Sequence, residues 1–107
     1  MYHIVGKLGG CDKLLCDDEA HCRNVIAKAA EVANATLLQL ASHKFTPQGV
    51  TAFALLAESH ISIHTGPEIG TIALDIFTCG DTVPTAAFEY IREQFHATGW
   101  TRQTINR

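Results

Sequence analysis

The sequence predicts an α+β fold, a two-layer sandwich in which a mostly antiparallel sheet carries two helices on one face. Six short segments have the composition and alternation of strands, and two longer segments repeat their apolar residues at helical spacing. The four middle strands are joined by connections of hairpin length, which favours antiparallel pairing. Because both helices cover one face, we expect a second copy, in a homodimer, to cover the other.

Composition and charge exclude several classes of function. The 107 residues are predicted to form one domain, residues 1–107, with a formal net charge of −3 and no basic run, so no nucleic-acid or membrane partner is expected. No apolar stretch approaches the roughly 20 residues of a membrane span, and no signal-peptide pattern is visible at the start. We therefore expect a cytoplasmic protein whose four cysteines are reduced thiols.

The first third of the chain is predicted to form a strand, a polar loop and a helix. Residues 2–8 alternate weakly and precede a glycine pair, which indicates a strand, and residues 12–18 are polar and loop-like. Asp17 is expected to cap a helix over residues 18–34 that ends at Asn34. The helix turns mostly small apolar side chains inward, namely Cys22, Val25, Ile26, Ala29 and Ala33.

The rest of the chain is predicted to form five strands and one helix. Turns at residues 46–49 and 66–70 contain proline and glycine in suitable positions. The second helix is expected to be capped by Thr82 or Asp81, with Pro84 in its first turn. The strands are predicted at residues 36–45, 50–57, 61–64, 71–77 and 100–105.

Ionisable side chains are concentrated in residues 57–68, within and around a predicted strand. Such groups are costly for a small domain to bury, so we interpret this stretch as the working site rather than a solvated edge. His60 and His64 are four residues apart, about 13 Å along a strand, which is too far for two ligands of one ion. No metal site is predicted, and His60 is assigned a structural role.

The sequence also contains candidate nucleophiles, although spacing alone does not choose between them. Ser59 with His64 and Cys79 with His64 are both possible dyads, but Ser59 lacks the G-x-S-x-G elbow pattern. The remaining cysteines match no zinc or redox spacing, and we expect small buried hydrophobic residues at Cys11, Cys16 and Cys22.

Four motifs occur together in a fixed order. The run Glu58–Thr65 (ESHISIHT) is followed by Pro67-Glu68 and by Asp75–Gly80 (DIFTCG), and residues 45–51 read F-x-P-x-G-V-T. This set resembles the short prokaryotic S-adenosylmethionine decarboxylase proenzymes, and the resemblance extends over residues 3–95. It implies a self-processing decarboxylase with a covalent pyruvoyl group and without pyridoxal phosphate or a metal.

The resemblance implies cleavage of the Glu58–Ser59 bond by the protein itself. The Ser59 hydroxyl would attack the Glu58 carbonyl to give an ester, and β-elimination would then separate a beta chain, residues 1–58, from an alpha chain, residues 59–107. The residue left at position 59 would become the pyruvoyl group. His64 matches the histidine that acts in processing, and Thr51 stands where the family often has a serine that assists it.

The resemblance also implies how the substrate is handled. The pyruvoyl carbonyl at position 59 would form a Schiff base with the amine of S-adenosylmethionine and act as the electron sink for decarboxylation, a step toward spermidine and other polyamines. Cys79 matches the proton donor, Phe45 the residue that stacks on adenine, and Glu68 the residue that hydrogen-bonds ribose.

Two other interpretations remain open. Gly66 stands where the family typically has a tryptophan in the adenine pocket, so arginine or ornithine is an alternative substrate on the same scaffold. An unprocessed, inactive homologue that serves as a regulatory or binding subunit is a third interpretation.

The predicted strand geometry separates two of the candidate residues. A regular strand would place Ser59 and His64 on opposite faces, so we expect a turn or bulge at residues 59–60.

Overall fold

The structure is a computed structural model that describes residues 1–107. It confirms the α+β two-layer fold, with six strands and three helices, and no helix has the length and apolar character needed to cross a bilayer. The elements are β1 (Tyr2–Gly9), α1 (Lys13–Cys16), α2 (Glu19–Val32), β2 (Leu37–Lys44), β3 (Val50–Leu56), β4 (Ser59–Gly66), β5 (Thr71–Thr78), α3 (Pro84–Gln94) and β6 (Gly99–Asn106).

All six strands form one antiparallel sheet in the order β2-β3-β4-β5-β1-β6. Strands β2 to β5 follow one another as hairpins, as their short connections predict. The first strand then lies between β5 and β6, so the chain begins and ends side by side. This order brings the residues after β5 close to the turn between β3 and β4.

The core lies between the helices and one face of the sheet. Alternate positions of the central strands are fully buried there, including Ile61 and Ile63 on β4 and Leu74 and Ile76 on β5. Helices α2 and α3 complete one continuous cluster of 23 buried hydrophobic residues. Burial of side chains of this size contributes about 1.5–3 kcal/mol each relative to exposure, which explains why both long helices share this face.

The opposite face of the sheet, here called the outer face, carries no helix. Its side chains remain partly exposed, and the apolar ones include Val5, Phe53, Leu55 and Ile105, each 37–40% exposed. The prediction that the helices cover one face only is confirmed. Cover of the outer face by a second copy stays a prediction.

Residues 12–18, predicted to be a loop, contain the short helix α1. The Asp12 carboxylate accepts hydrogen bonds from the backbone N–H groups of Leu14 and Leu15, which satisfies two donors that a helix start leaves free. The helix is only four residues long, so no apolar period reveals it. The sequence predicted two helices and therefore missed α1.

The cap of α2 is also shifted by one residue from its predicted position. Asp18, not Asp17, caps the helix and accepts from the backbone N–H of His21 at 3.0 Å. Asp17 instead accepts from the Gly49 N–H at 2.8 Å and pairs with Lys44 at 3.0 Å. These contacts lower the pKa of the Asp17 carboxyl, first through the Gly49 hydrogen bond and then through Lys44.

Helix α3 begins without the side-chain cap predicted for it. Val83 occupies the cap position, and Pro84 stands in the first turn as predicted. The Thr82 hydroxyl donates to the Cys79 carbonyl at 3.1 Å instead of capping the helix. That hydrogen bond stabilises the loop after β5, which contains Cys79, the candidate proton donor.

Candidate active site

The predicted scissile bond lies at a tight hairpin turn between β3 and β4. Leu56 pairs with Ser59 across the hairpin, which leaves Ala57 and Glu58 as the turn residues. Glu58 has a φ of 63°, in the left-handed region that costs a non-glycine residue about 1–2 kcal/mol. The residue whose carbonyl belongs to the Glu58–Ser59 bond therefore has a strained backbone.

Ser59 begins β4 and faces the helices. It is 8% exposed, and its hydroxyl donates to the carbonyl of Ala57 at 3.2 Å. The nucleophile predicted from the sequence is thus buried against the turn that precedes it. In the attack that the sequence predicts, its hydroxyl would first have to release the Ala57 carbonyl.

The structure brings Cys79 to the same turn. Its Sγ lies 3.5 Å from the Glu58 carbonyl oxygen and 3.7 Å from Glu58 Oε2, at the distance of a thiol hydrogen bond. The pairing of β4 with β5 explains this contact, because His60 stands opposite Phe77 and the same register places Glu58 opposite Cys79. Two residues 21 positions apart in the chain therefore meet at the predicted cleavage bond.

His64 lies elsewhere, near the far end of β4. Its Nδ1 is 3.0 Å from Thr51 Oγ1, and the two residues are direct cross-strand partners on β4 and β3. His64 is exposed on the outer face, while Thr51 is half-buried beside it. The structure therefore joins the two residues predicted to assist processing.

The turn or bulge predicted at residues 59–60 was wrong. Strand β4 is regular from Ser59 onward, its pairing with β3 has no register shift, and the turn lies one residue earlier at Ala57–Glu58. Ser59 and His64 consequently face opposite sides, about 17 Å apart along the strand. Within one chain the structure does not bring them together.

The remaining predicted site residues lie at the His64 end of the sheet. Phe45 follows β2 and is 45% exposed, with its ring centroid 4.5 Å from that of His43. Glu68 is exposed in the turn between β4 and β5. A Cβ built on Gly66 would lie 3.5 Å from Glu68 Oε1 and 2.9 Å from Thr71 Oγ1, so this turn is tightly filled.

The candidate residues therefore form two separate groups. We call Glu58, Ser59, Thr78 and Cys79 the cleavage end, and Phe45, Thr51, His64 and Glu68 the histidine end. Thr78 was not predicted from the sequence; it precedes Cys79 and lies opposite Ser59 when the β4–β5 register is continued one residue beyond the His60–Phe77 pair.

The other three cysteines are buried in the core, as predicted. Cys16 and Cys22 are fully buried and Cys11 is 6% exposed. Burial raises the pKa of the Cys22 thiol to about 12, and a hydrogen bond with the Cys11 thiol together with burial raises that of Cys16. Thiols held in the protonated form are poor nucleophiles, so Cys16 and Cys22 are unsuited to that role. The same hydrogen bond with Cys16 lowers the pKa of Cys11, and Cys79, in contrast to these three, is only half-buried.

His60 lies at the centre of the outer face. Its ring stacks on Phe53 at 5.4 Å between centroids and packs against Phe77 at 5.7 Å. Burial lowers the pKa of His60, and the neighbouring His3, which pairs with Asp75 at 3.0 Å, lowers it further. These contacts agree with the structural role predicted for His60.

Comparisons with known proteins identify close relatives. The family model described as S-adenosylmethionine decarboxylase matches residues 2–107. The S-adenosylmethionine decarboxylase proenzyme of Synechococcus sp. (strain WH7803) is 55% identical over 96 residues, which cover 89% of this chain and 75% of the relative. The proenzyme of Prochlorococcus marinus (strain MIT 9211) is 49% identical over 106 residues, covering 98% and 87%.

A solved structure has the same fold as this chain. The crystal structure of the adenosylmethionine decarboxylase from Aquifex aeolicus VF5 has a TM-score of 0.91 and 34% sequence identity to this chain. The match covers 99% of this chain and 88% of the other. The sheet and helices described above are therefore shared with that protein along nearly their whole length.

Proposed function

Because the chain belongs to the S-adenosylmethionine decarboxylase family, we propose that it is a proenzyme that cuts itself between Glu58 and Ser59 and then decarboxylates S-adenosylmethionine for spermidine synthesis. The observation that carries this proposal is the contact between the Cys79 thiol and the Glu58 carbonyl at a strained turn. Proenzymes named for S-adenosylmethionine among the relatives do not favour arginine or ornithine as the substrate.

In the first step of cleavage, Ser59 Oγ attacks the Glu58 carbonyl carbon. A C–O bond forms, the C–N bond between the two residues breaks, and the hydroxyl proton ends on the freed nitrogen of residue 59. Negative charge develops meanwhile on the carbonyl oxygen, where the Cys79 thiol at 3.5 Å donates a hydrogen bond. Opening the peptide also releases the left-handed conformation at Glu58.

The resulting ester then breaks by β-elimination. A base removes the Cα proton of residue 59, the Cβ–O bond breaks, and Glu58 leaves with a free carboxylate as the end of residues 1–58. Water replaces the nitrogen of the remaining dehydroalanine and ammonia leaves, which produces the pyruvoyl group at the start of residues 59–107. We assign His64 as the base and Thr51, at 3.0 Å, as the group that orients its ring.

His64 of the same chain cannot reach Ser59 along a regular strand, so we propose that a second copy provides it. Glu58 and Cys79, like His64 and Thr51, occupy register positions of the outer face. Two copies that pack these faces together in antiparallel orientation would place each cleavage end against the partner's histidine end. A two-fold axis then gives two identical sites.

Mixing two inactive variants tests the shared site. Ser59→Ala lacks the nucleophile and His64→Ala lacks the base, so neither chain is expected to cleave alone. Co-refolded as mixed dimers, the His64→Ala chain is expected to be cut with the histidine of the Ser59→Ala chain. If mixed dimers form by native mass spectrometry and stay uncut, the shared-site proposal is wrong.

The pyruvoyl group supplies the electron sink that takes up the negative charge when carbon dioxide leaves the substrate. The surroundings of residue 59 fit such a group, because the position is buried and the Cys79 thiol, the proposed proton source, contacts the carbonyl of the preceding residue. We assign Phe45 to stack on the adenine and Glu68 to accept hydrogen bonds from the ribose. The proposed cofactor needs neither pyridoxal phosphate nor a metal.

Intact mass and product analysis test the proposed function. The 11.6 kDa chain is expected to separate into residues 1–58 and 59–107, with a pyruvoyl group on the second, while Ser59→Ala stays whole. Carbon dioxide release is then measured from carboxyl-labelled S-adenosylmethionine, arginine and ornithine. Turnover of arginine or ornithine alone would reject the proposed substrate, and a wild-type chain that never cleaves would support a binding or regulatory subunit.

A further inference from the structure

Thr78 carries an unexplained polar atom at the end of β5. The residue is 0% exposed, and its Oγ1 is the one buried side-chain nitrogen or oxygen without a hydrogen-bond partner. A buried polar atom left unpaired costs about 1–3 kcal/mol, and such groups are rare in folded proteins. The chain therefore tolerates a destabilising hydroxyl at this position.

Valine would avoid this cost at the same position. It has nearly the shape of threonine, suits a strand equally well and carries no hydroxyl to satisfy. The apolar neighbours on the same face, Leu74 and Ile76, show that β5 otherwise presents only hydrophobic side chains to the core. The hydroxyl of Thr78 therefore needs an explanation other than packing.

Its neighbour across the sheet is the predicted nucleophile. Continuing the register by one residue beyond His60 and Phe77 places Ser59 directly opposite Thr78, both on the face toward the helices. The contact of Glu58 with Cys79, one residue further, shows that this register continues through the turn. Direct cross-strand partners have Cβ atoms about 4.5–5.5 Å apart, which is within reach of two hydroxyls.

Ser59 and Thr78 are also the two buried polar residues of the chain. Their side chains have unequal hydrogen bonding, because Ser59 donates to the Ala57 carbonyl at 3.2 Å while Thr78 has no partner. When the Ser59 hydroxyl leaves the Ala57 carbonyl, it needs another acceptor within the buried space. Thr78 Oγ1 is the free acceptor on the opposite strand.

We propose that Thr78 is a positioning residue for self-cleavage, accepting the hydrogen bond of the Ser59 hydroxyl while the serine oxygen faces the Glu58 carbonyl carbon. This inference rests on the proposed self-cleavage. Thr78 forms no covalent bond in the step, and the proton stays on Ser59 until it passes to the nitrogen of the broken peptide. Its role differs from that of Cys79, which contacts the oxygen of the same carbonyl.

Two substitutions separate positioning from packing. Thr78→Val keeps the shape and removes the hydroxyl, so we expect cleavage to slow about tenfold or more while the melting temperature stays equal or rises. Thr78→Ser keeps the hydroxyl and removes a methyl group, so we expect near-normal cleavage with a lower melting temperature. Thr104→Val, at an exposed position of β6, is the matched control and should change neither.

Cleavage is followed by intact mass after refolding, and stability is measured on the same chains in the Ser59→Ala background, where all remain uncut. The proposal is supported if Thr78→Ser cleaves nearly as fast as the wild type and Thr78→Val cleaves slowly, although Thr78→Val is the more stable of the two. Thr78→Val that cleaves at the wild-type rate overturns it, as does Thr78→Ser that is as slow as Thr78→Val. A wild-type chain that does not cleave rejects the proposed function and this inference together, whereas equal cleavage by all variants rejects the inference alone.

Discussion

At the cleavage end, Ser59 and Thr78 are buried and Glu58 has a left-handed backbone, whereas at the histidine end His64 and Glu68 are exposed. The first group is held by the turn and by the β4–β5 register, and its hydrogen bonds lie within one chain, with Thr78 Oγ1 left unpaired. The second has one internal hydrogen bond, between His64 and Thr51. The cleavage end is therefore held by contacts within one chain, whereas the histidine end is exposed.

Under the proposed mechanism, this difference keeps the Glu58–Ser59 bond from being fully processed until two copies assemble. The proposed nucleophile and the proposed oxyanion donor lie at the same turn of each chain, but the proposed base lies about 17 Å away along β4. Because the base is required for elimination, an isolated chain would stop at or before the ester. The following substitutions change one end while leaving the other as it is.

The largest effect is expected for Cys79→Ala. Loss of the thiol removes the donor 3.5 Å from the Glu58 carbonyl and the proposed proton source for decarboxylation. We expect cleavage to continue more slowly, and carbon dioxide release by the cleaved protein to fall about 10²–10⁴-fold, the range typical of general acid–base groups. Cleavage is measured by intact mass, and carbon dioxide release is measured with carboxyl-labelled S-adenosylmethionine.

Cys22→Ala is the matched control for the chemistry of a thiol. Cys22 lies in the core, so its loss should lower stability. Because burial raises the pKa of its thiol to about 12 and it lies away from the cleavage end, the rates of cleavage and of carbon dioxide release per folded molecule should stay unchanged. Normal decarboxylation by Cys79→Ala would remove the proton-donor assignment and leave the histidine end as the only candidate source.

A smaller effect is expected for Glu58→Gly. Glycine adopts the left-handed conformation without the cost of about 1–2 kcal/mol, so the uncut hairpin gains stability and the bond loses part of its strain. We expect a higher melting temperature in the Ser59→Ala background, and cleavage slowed about 5- to 30-fold if all the strain is released in the transition state.

Glu58→Gln is the control, because it keeps the backbone strain and a side chain of the same length. It should cleave more like the wild type than Glu58→Gly does, with a difference that reports only the 3.7 Å contact to Cys79. If glycine cleaves as fast as glutamate, the turn strain at the cleavage end has no part in the reaction.

The sequence predicted the two layers of the fold well. The spacing of apolar residues within a segment distinguishes a strand from a helix without information from the rest of the chain. The sequence did not predict the position of β1 between β5 and β6, which is decided by pairing between residues more than 70 positions apart, such as Ile4 and Ile76. It also missed α1, since four residues are too few to show a helical period and only the Asp12 cap marks its start.

The site was predicted by residue type more accurately than by geometry. The motif residues were recognised, but Ala57 and Glu58 contain no glycine, asparagine or proline, so a two-residue turn with a left-handed glutamate could not be read from them. The strand was consequently predicted to begin at residue 61, and a bulge was placed inside what is a regular β4. Correcting that start separates the candidate residues into two ends.

The smallest effect concerns the histidine end and tests whether it binds the nucleoside. Gly66 lacks the aromatic ring expected from relatives, and a Cβ there would come within 2.9 Å of Thr71 Oγ1. Gly66→Trp alone therefore requires Thr71 to move, whereas Gly66→Trp with Thr71→Ala removes the close contact. We expect the double variant to lower KM for S-adenosylmethionine about two- to tenfold with kcat unchanged, because a stacked aromatic pair contributes about 0.5–1.5 kcal/mol.

Gly66→Ala with Thr71→Ala is the control, since it changes the same two positions without adding a ring. A lower KM in the tryptophan variant but not in this control would place the adenine against residue 66, beside Phe45 and Glu68. An equal KM in both would mean that the histidine end does not hold the nucleoside. The unchanged kcat matters equally, because a ring that only stacks on the adenine should not alter the chemistry at position 59 and Cys79.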